Sequence, residues 1–359
     1  MFKRLLLASL LMGLLSACYQ TDIIENIGFI HTIGYDLAEE EDLLRVTVSL
    51  PLADKRQKHT ISTLAHTSKE ARIYLFNQSD KNLVTGQVRS ILVGKKLAEQ
   101  GIWRELDTIY RDNVFRPNIR LAVVDGDVEK LMEGNFSELP ELNESIEDML
   151  KKEAKLNTIP DVDVHKFARD YLDDAIDPIA PIIRKTDKGI MATGIALFKD
   201  DQFVTNLNTL QSRIFFLMTG QFKEGDLLIK NKDELIFVDF LSSKHHVTVD
   251  LISLEDIHIG LKIIFTGYVL EYHGARDLSM EEGIKDLERV IERYIEKEIK
   301  EIIQIMKQYK VDNAGFGKYV RMNTDYQTWK RLKWPETVDH VQITPSVDVK
   351  ILDAGLINR

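Results

Sequence analysis

The sequence predicts an α+β protein of three domains, in which mixed β-sheets are covered on one side by helices and the C-terminal domain contains a long amphipathic helix. Strand-like and helical segments alternate in mixed order, without the regular strand–helix–strand spacing of a parallel α/β fold. No glycine-rich nucleotide turn is present. The chain has 359 residues, enough for two or three domains, and its 44% apolar and 29% charged residues are ordinary for a folded protein.

The first part of the chain predicts strands and then helices. Residues 27–34 and 44–50 show the apolar alternation and β-branched residues of strands, with an acidic turn between them. Helices are expected where a capping residue or an acidic first turn precedes an apolar stretch. The further elements expected here are helices at 68–76, 95–99, 102–111, 127–132, 145–156 and 163–173, and strands at 92–94 and 118–124.

Two prolines, Pro178 and Pro181, and the charged run 184–189 predict a domain boundary. Beyond it, residues 194–204 have the pattern of a hairpin and residues 208–217 that of a helix. The predicted units are a signal peptide at 1–17, an N-terminal α+β domain at 18–184, a small middle α+β domain at 185–230 and a C-terminal α+β domain at 231–359.

Residues 279–310 form the longest predicted element, a helix whose apolar residues recur at three- and four-residue spacing. Acidic residues near its start and lysines near its end agree with the helix dipole. We expect the apolar stripe to pack on a C-terminal sheet, and a groove for a partner helix is the alternative. The strands expected for that sheet are 235–240, 246–252, 258–270 and 341–351.

The first seventeen residues have the pattern of a bacterial lipoprotein signal peptide. Lys3 and Arg4 precede an apolar run at 5–15, and a run of roughly eleven residues is too short to cross about 30 Å of hydrocarbon. The sequence then reads Leu15-Ser16-Ala17-Cys18, in which the thiol of Cys18 would receive a diacylglycerol and its amino group an acyl chain. Because acyl chains gain about 0.8 kcal/mol per buried CH₂, two or three of them anchor a protein stably. An ordinary secretory signal with a chance cysteine is the alternative.

Cys18 is the only cysteine, so the chain can form no internal disulfide, cysteine-based zinc site or paired redox site. Removal of Lys3 and Arg4 leaves 45 basic against 57 acidic residues, a net charge of about −12. An acidic body is a poor ligand for nucleic acid and for anionic lipid. We therefore expect the lipid on Cys18 to provide the attachment to the membrane, and we expect no nucleic-acid partner.

No pattern predicts catalysis, a metal site or a cofactor. The sequence contains neither a Gly-Xaa-Ser-Xaa-Gly elbow nor a Ser-Xaa-Xaa-Lys pair. Gly94-Lys95 lacks the spacing of a phosphate-binding loop and is expected to be a turn into a helix. The adjacent His245 and His246 would point to opposite faces of a strand and could not share one metal. The acidic clusters 39–41 and 173–174 lack the alternating oxygen spacing of a calcium loop.

Five short motifs resemble the Ger(x)C family, the C subunits of spore germinant receptors in endospore-forming bacteria. The first runs from Cys18-Tyr19-Gln20-Thr21-Asp22 to Ile33-Gly34-Tyr35-Asp36, directly behind the lipoprotein signal. Ser68-Lys69-Glu70-Ala71 is similar to a helix start of the family. The others are the stretch 92–102, the hairpin 193–200, and the pair formed by the turn 312–317 and the tryptophan-flanked basic segment 329–334.

The resemblance implies a three-domain α+β lipoprotein on the outer face of the cytoplasmic (spore inner) membrane. It implies a non-enzymatic receptor subunit whose partners are the A and B subunits and, through the acyl anchor, the lipid bilayer. Only Cys18 carries over as a functional residue. A solute-binding lipoprotein of a transporter is the alternative, but such proteins have two lobes of repeated strand–helix units, and a cell-envelope hydrolase would need convergent catalytic side chains.

Overall fold

A computed structural model of the protein describes residues 26–40, 42–51, 58–134, 142–187, 189–222, 225–231 and 233–353. The strands in these ranges are β1 (Ile27–Phe29), β2 (Thr32–Leu37), β3 (Leu44–Pro51), β4 (Lys58–Ala65), β5 (Asn82–Val84), β6 (Ser90–Gly94), β7 (Arg120–Val124), β8 (Ile179–Thr186), β9 (Gly189–Lys199), β10 (Gln202–Asn208), β11 (Gly225–Asn231), β12 (Glu234–Leu251), β13 (Ile257–His273) and β14 (Gln342–Asp353). The helices are α1 (Ser68–Gln78), α2 (Lys95–Ala98), α3 (Trp103–Arg111), α4 (Val128–Glu133), α5 (Leu142–Lys155), α6 (Val164–Tyr171), α7 (Thr209–Met218), α8 (Glu281–Tyr309), α9 (Phe316–Met322), α10 (Tyr326–Leu332) and α11 (Trp334–Thr337). The predicted α+β class is confirmed.

Eight strands form a large mixed sheet in the order β10-β9-β8-β7-β6-β2-β3-β4. The four central strands, β2, β6, β7 and β8, run parallel, and the outer strands pair antiparallel. Helices α1, α3 and α6 contribute to the core on one face, and α4 and α5 pack against Leu92, Ala122 and Val124 on the other. The prediction that helices cover one side only is therefore wrong for this sheet. The continuous apolar runs at 91–93 and 121–124 are the sequence pattern of strands buried on both faces.

Four strands form a smaller sheet in the order β11-β12-β13-β14, in which only β13 and β14 are parallel. Helix α8 packs on one face of this sheet through a continuous stripe, and each apolar side chain that is fully buried contributes roughly 1.5–3 kcal/mol. The buried residues of α8 are Leu287, Val290, Ile291, Ile295, Ile299, Ile302, Ile303 and Met306. The predicted helix at 279–310 and its packing on the C-terminal sheet are confirmed.

Two predicted strands of this sheet are one continuous strand. Residues 235–240 and 246–252 were expected to be separate because the segment between them is polar. In the structure β12 runs without a break for 18 residues. The polar segment keeps the strand conformation because its residues pair with β13, as Ser243 does with Phe265 and His245 with Ile263.

The segment 185–230 forms no sheet of its own among the described residues. Its hairpin β9–β10 extends the large sheet, because β9 pairs with β8 between residues 179 and 197, and its last strand, β11, belongs to the small sheet. Pro181 is part of β8 although it was expected at a domain boundary, and β8 meets β7 only through Ile182 and Ile183. The predicted domain boundaries themselves stay predictions.

Residues 27–34, expected as one strand, form two. β1 ends at Phe29 and pairs with β5, whereas β2 begins at Thr32 and joins the large sheet. None of the helices in the described ranges combines the length and the apolar composition needed to span a membrane.

Candidate functional site

A buried polar cluster joins the large sheet to the small one. We call it the acidic joint and define it as Asp177, Asp312, Asn313 and Trp334. Asp177 lies just before β8 and Asp312 just after α8, and two hydrogen bonds connect them. The backbone N–H of Asp177 donates to the carbonyl of Asp312 (3.0 Å), and the N–H of Asp312 donates to the Asp177 carboxylate (2.7 Å). Asn313 strengthens the connection by donating its side-chain amide to the carbonyls of Pro178 (2.7 Å) and Phe198 (2.9 Å).

The Asp312 carboxylate is the centre of the joint. It accepts hydrogen bonds from the backbone N–H groups of Phe316 (3.0 Å) and Gly317 (2.6 Å), which begin α9 and have no partner within that helix. It also accepts the indole N–H of Trp334 (2.9 Å). Gly317 is required here for lack of space, since a Cβ on it would lie 2.4 Å from the indole nitrogen of Trp334.

Burial changes the proton affinity of both carboxylates in the joint. The pKa of Asp312 is raised from 3.8 to about 6, chiefly by burial and also by the nearby Asp177 carboxylate, while the three N–H donors act in the opposite direction. Burial also raises the pKa of Asp177 above its ordinary value. The two carboxylates therefore make the joint a titratable connection between the sheets.

A ring of charged side chains, formed by Asp173, Asp174, Arg321 and Lys330, lies beside the acidic joint. The guanidinium of Arg321 donates two hydrogen bonds to the Asp173 carboxylate (2.6 and 3.1 Å) and one to Asp174 (3.1 Å). Lys330 also pairs with Asp174 (3.1 Å). A cavity of about 220 Å³ is lined by Asp173 and Asp174 of this ring and by Asp177, Asp312 and Trp334 of the joint. These contacts tie α9 and α10 to the segment that follows α6.

A second feature of the C-terminal part is a row of carboxylates on α8. We call Glu288, Glu292 and Glu296 the glutamate row, because their four-residue spacing places them on one face of the helix. Their carboxylates accept the backbone N–H groups of the edge strand β14, which alternate along it: Ile351 (2.8 Å), Val349 (3.0 Å) and Val347 (3.1 Å). The row therefore closes the outer edge of β14 against further strand pairing.

The acidic side chains of the joint and of the ring around it are engaged in hydrogen bonds and ion pairs. Each carboxylate of the joint is engaged by N–H donors, and the surrounding ring pairs its acids with Arg321 and Lys330. Within the described part of the chain, no three His, Cys, Asp or Glu side chains are placed to hold a metal ion.

The residues singled out in the sequence have different positions. Cys18 lies outside the described residues. Gly94 ends β6 and Lys95 begins α2, as expected for a turn into a helix. His245 shares a 2.8 Å hydrogen bond with the hydroxyl of Tyr319, whereas His246 is exposed on the other face of β12.

Sequence reasoning singled out the turn 312–317 and Trp334 only by resemblance, and it missed Asp177, Arg321 and the glutamate row. For Asp177 the signal is absent, because it meets Asp312 across 135 residues of sequence. The glutamate row does have a signal, since three glutamates at four-residue spacing flank the apolar stripe of the long helix.

Comparison with known families accounts for nearly the whole chain. The family model described as "Spore germination protein N-terminal domain" matches residues 20–185, and the model described as "Spore germination B3/ GerAC like, C-terminal" matches residues 193–355. The chain belongs to the GerAC-like spore germination proteins. Family membership and relatives indicate the C subunit of a spore germinant receptor.

Two relatives of this family align over their full length. The spore germination protein GerQC of Bacillus cereus is 25% identical over 367 residues, covering 99% of each chain. The putative spore germination protein YfkR of Bacillus subtilis (strain 168) is 18% identical, covering 96% of this chain and 95% of its own. The crystal structure of the GerBC protein has the same fold, with a TM-score of 0.59 over 89% of this chain and 97% of its own at 14% identity.

Proposed function

We propose that this GerAC-like protein is a non-enzymatic, lipid-anchored subunit of a nutrient germinant receptor, held on the outer face of the spore inner membrane by acyl chains on Cys18. In this role it assembles with the A and B subunits of the receptor. The complex responds to small nutrients and starts germination.

The observation that carries the proposal is the order of features along the chain. A lipoprotein signal ends at Leu15-Ser16-Ala17-Cys18, and the two family models begin two residues later and together extend to residue 355. Lipidation of Cys18 would therefore attach the whole family region to the membrane through the first residue of the mature chain. An acyl anchor suits a chain of this charge, since the net charge of about −12 that remains after removal of the signal peptide gives no electrostatic attraction to anionic lipid.

A structural role fits the chemistry of the described residues better than a catalytic one. The acidic joint contains no nucleophile paired with a base, and its carboxylates are engaged by N–H donors. Its hydrogen bonds link the two sheets into one body. In this role the protein contributes to the germination response through its surfaces. The hydrogen bonds of the acidic joint fix how the surfaces of the two sheets are arranged.

Deletion of the gene and complementation test the role. Spores without this protein are expected to lose the germination response to at least one nutrient, and a wild-type copy is expected to restore it. Unchanged germination under every nutrient, in a strain that lacks other GerAC-like genes, contradicts the proposal.

A further inference from the structure

The two edges of the small sheet differ in how they are protected. At one edge, the glutamate row occupies the outward N–H groups of β14. At the other edge lies β11, and no described strand pairs with its outer side or with the outer side of β12 beyond Phe240. An edge strand with free backbone groups is a template for another strand, so natural proteins often cover such an edge or place charges on it. Of this unpaired edge, β11 is the part that borders a groove with exposed apolar side chains, which makes it the candidate for a contact with another chain.

The residues of β11 that point outward can be identified. The carbonyl of Asp226 accepts a hydrogen bond from Arg213 of α7 (2.6 Å), so Asp226 faces away from β12. In an antiparallel pair every second residue faces away from its partner. Leu228 and Lys230 therefore point their backbone N–H and C=O groups outward as well. Leu227 and Ile229 pair with β12 and are buried.

A groove of about 540 Å³ runs beside this edge. Its walls come from the end of α5, from α7 and from α8, and they include Leu156, Leu210 and Tyr294. Leu156 is 51% exposed and Leu228 is 37% exposed, which is high for large apolar side chains. The groove therefore offers apolar contacts at the position where the side chains of an added strand would lie.

The charged side chains beside the groove indicate what kind of segment would bind there. Lys230 is exposed, and its ammonium forms no ion pair with a described residue. Arg213 is different, because its charge is already used by Asp226 (2.8 Å). Glu153 also lines the groove, but its carboxylate pairs with Lys152 (3.1 Å). Lys230 is therefore the cation of this lining without an ion-pair partner among the described residues, and it fits a strand that carries an acidic residue next to an aliphatic one. A helix cannot satisfy the outward groups of β11, because its own backbone groups are paired internally.

We propose that β11 is the docking edge for an extended segment of another receptor subunit, which adds as a fifth strand beyond β11. The segment places an aliphatic side chain in the groove formed by Leu156, Leu210 and Tyr294 and an acidic side chain beside Lys230. This inference rests on the proposed function, since it takes its partner from the same receptor. Backbone hydrogen bonds supply affinity in this mode, and the groove supplies specificity.

The test uses the full-length lipidated chain, expressed with its A and B subunits and purified from membranes. Leu228→Pro removes one outward N–H without removing a hydrogen bond to β12, because the backbone N–H of Leu228, which lies opposite Phe237, points away from β12. Leu228→Thr is the matched control, since it keeps the N–H group and favours a strand. We expect Leu228→Pro to lower the recovery of the other subunits roughly tenfold and Leu228→Thr to leave it nearly unchanged.

A second pair of variants tests the proposed ion pair at Lys230 separately from the backbone hydrogen bonds. Lys230→Glu is expected to lower recovery of the other subunits, whereas Lys244→Glu, at an exposed lysine on β12 beyond the end of β11, is expected to leave it unchanged. Thermal unfolding followed by circular dichroism accompanies each variant. Equal recovery for Lys230→Glu and Lys244→Glu overturns the inference.

Photo-crosslinking decides the case even where Leu228→Pro fails to fold. A benzophenone amino acid at position 230 is expected to crosslink to one short segment of another subunit, and the same group at position 244 is not. Crosslinking to a second copy of this chain, or none while the subunits copurify, overturns the inference and leaves the proposed function standing. Failure of the wild-type chain to copurify with either subunit overturns both.

Discussion

Replacing Glu292 with alanine tests whether the glutamate row stabilises the C-terminal sheet. Glu292 is the middle member of the row, and its carboxylate accepts the backbone N–H of Val349 at 3.0 Å. Val349 is 4% exposed, so water cannot readily replace the lost acceptor. A buried donor left without a partner costs about 1–3 kcal/mol, and a hydrogen bond to a charged group contributes at the upper end of that range. We expect Glu292→Ala to lower the free energy of unfolding by about 2 kcal/mol.

Two further variants separate the hydrogen bond from other effects on the helix. Glu292→Gln keeps an acceptor oxygen but loses the charge, and a charge-assisted bond is roughly twice as strong as a neutral one, so about half of the loss is expected. Glu298→Ala is the control. Glu298 is partly buried on the same helix, and its carboxylate accepts no hydrogen bond from a described residue. A change within about 0.5 kcal/mol is expected there.

Urea unfolding gives the free energies, and amide hydrogen exchange locates the effect. In Glu292→Ala the Val349 amide should exchange up to about 30-fold faster, which corresponds to about 2 kcal/mol, while amides in the large sheet are unaffected. If Glu292→Ala and Glu298→Ala have the same stability and the same exchange at Val349, the reasoning about the edge of β14 is refuted.

The acidic joint gives two further predictions. Because the pKa of Asp312 is about 6 in the folded protein and 3.8 ordinarily, its contribution to stability is fully present below about pH 4 and is lost as the pH rises through 6, by about 3 kcal/mol. The stability of the wild type minus that of Asp312→Asn, from urea unfolding at several pH values, should decline over this window, and a constant difference contradicts the prediction. Gly317→Ala should destabilise the protein by about 1–3 kcal/mol in thermal unfolding, because the new Cβ would lie 2.4 Å from the Trp334 indole nitrogen. Gly86→Ala, whose nearest contact is 3.7 Å away, should have little effect, and equal effects of the two would argue against crowding in the joint.

Local signals predicted the elements that depend on neighbours in sequence. Asn208 caps α7 and forms a capping box with Gln211, and the predicted helix at 208–217 agrees with Thr209–Met218 within one residue. The stripe of α8 was equally readable, since a helix of that length repeats its pattern many times.

Features that depend on distant residues were not predictable in this way. The polar segment of β12 reads as a loop until its partner β13 is known, because pairing overrides its weak strand propensity. The sharing of β9 and β10 with the large sheet has the same cause, since a hairpin pattern does not say which sheet it joins.

The candidate functional site also combines features that the local sequence indicates with features that depend on distant residues. The turn at 312–317 was identified only by its resemblance to the family motif. Its hydrogen bonds to Asp177 and Trp334 are tertiary contacts that the local sequence does not predict. The resemblance predicted the family, and the family models confirm it. The lipid site at Cys18 stays a prediction from the signal pattern.

Metabolic labelling with a radioactive fatty acid, combined with membrane fractionation, tests whether acyl chains on Cys18 hold the protein on the membrane. The wild-type chain and Cys18→Ala are compared in cells that lack the A and B subunits, so that attachment through those subunits does not contribute. We expect the wild type to carry label and sediment with the membrane, and Cys18→Ala to carry no label and lose its stable attachment. A Cys18→Ala chain that stays unlabelled on the membrane as fully as the wild type, in cells that lack the other subunits, would contradict the lipid-anchored role.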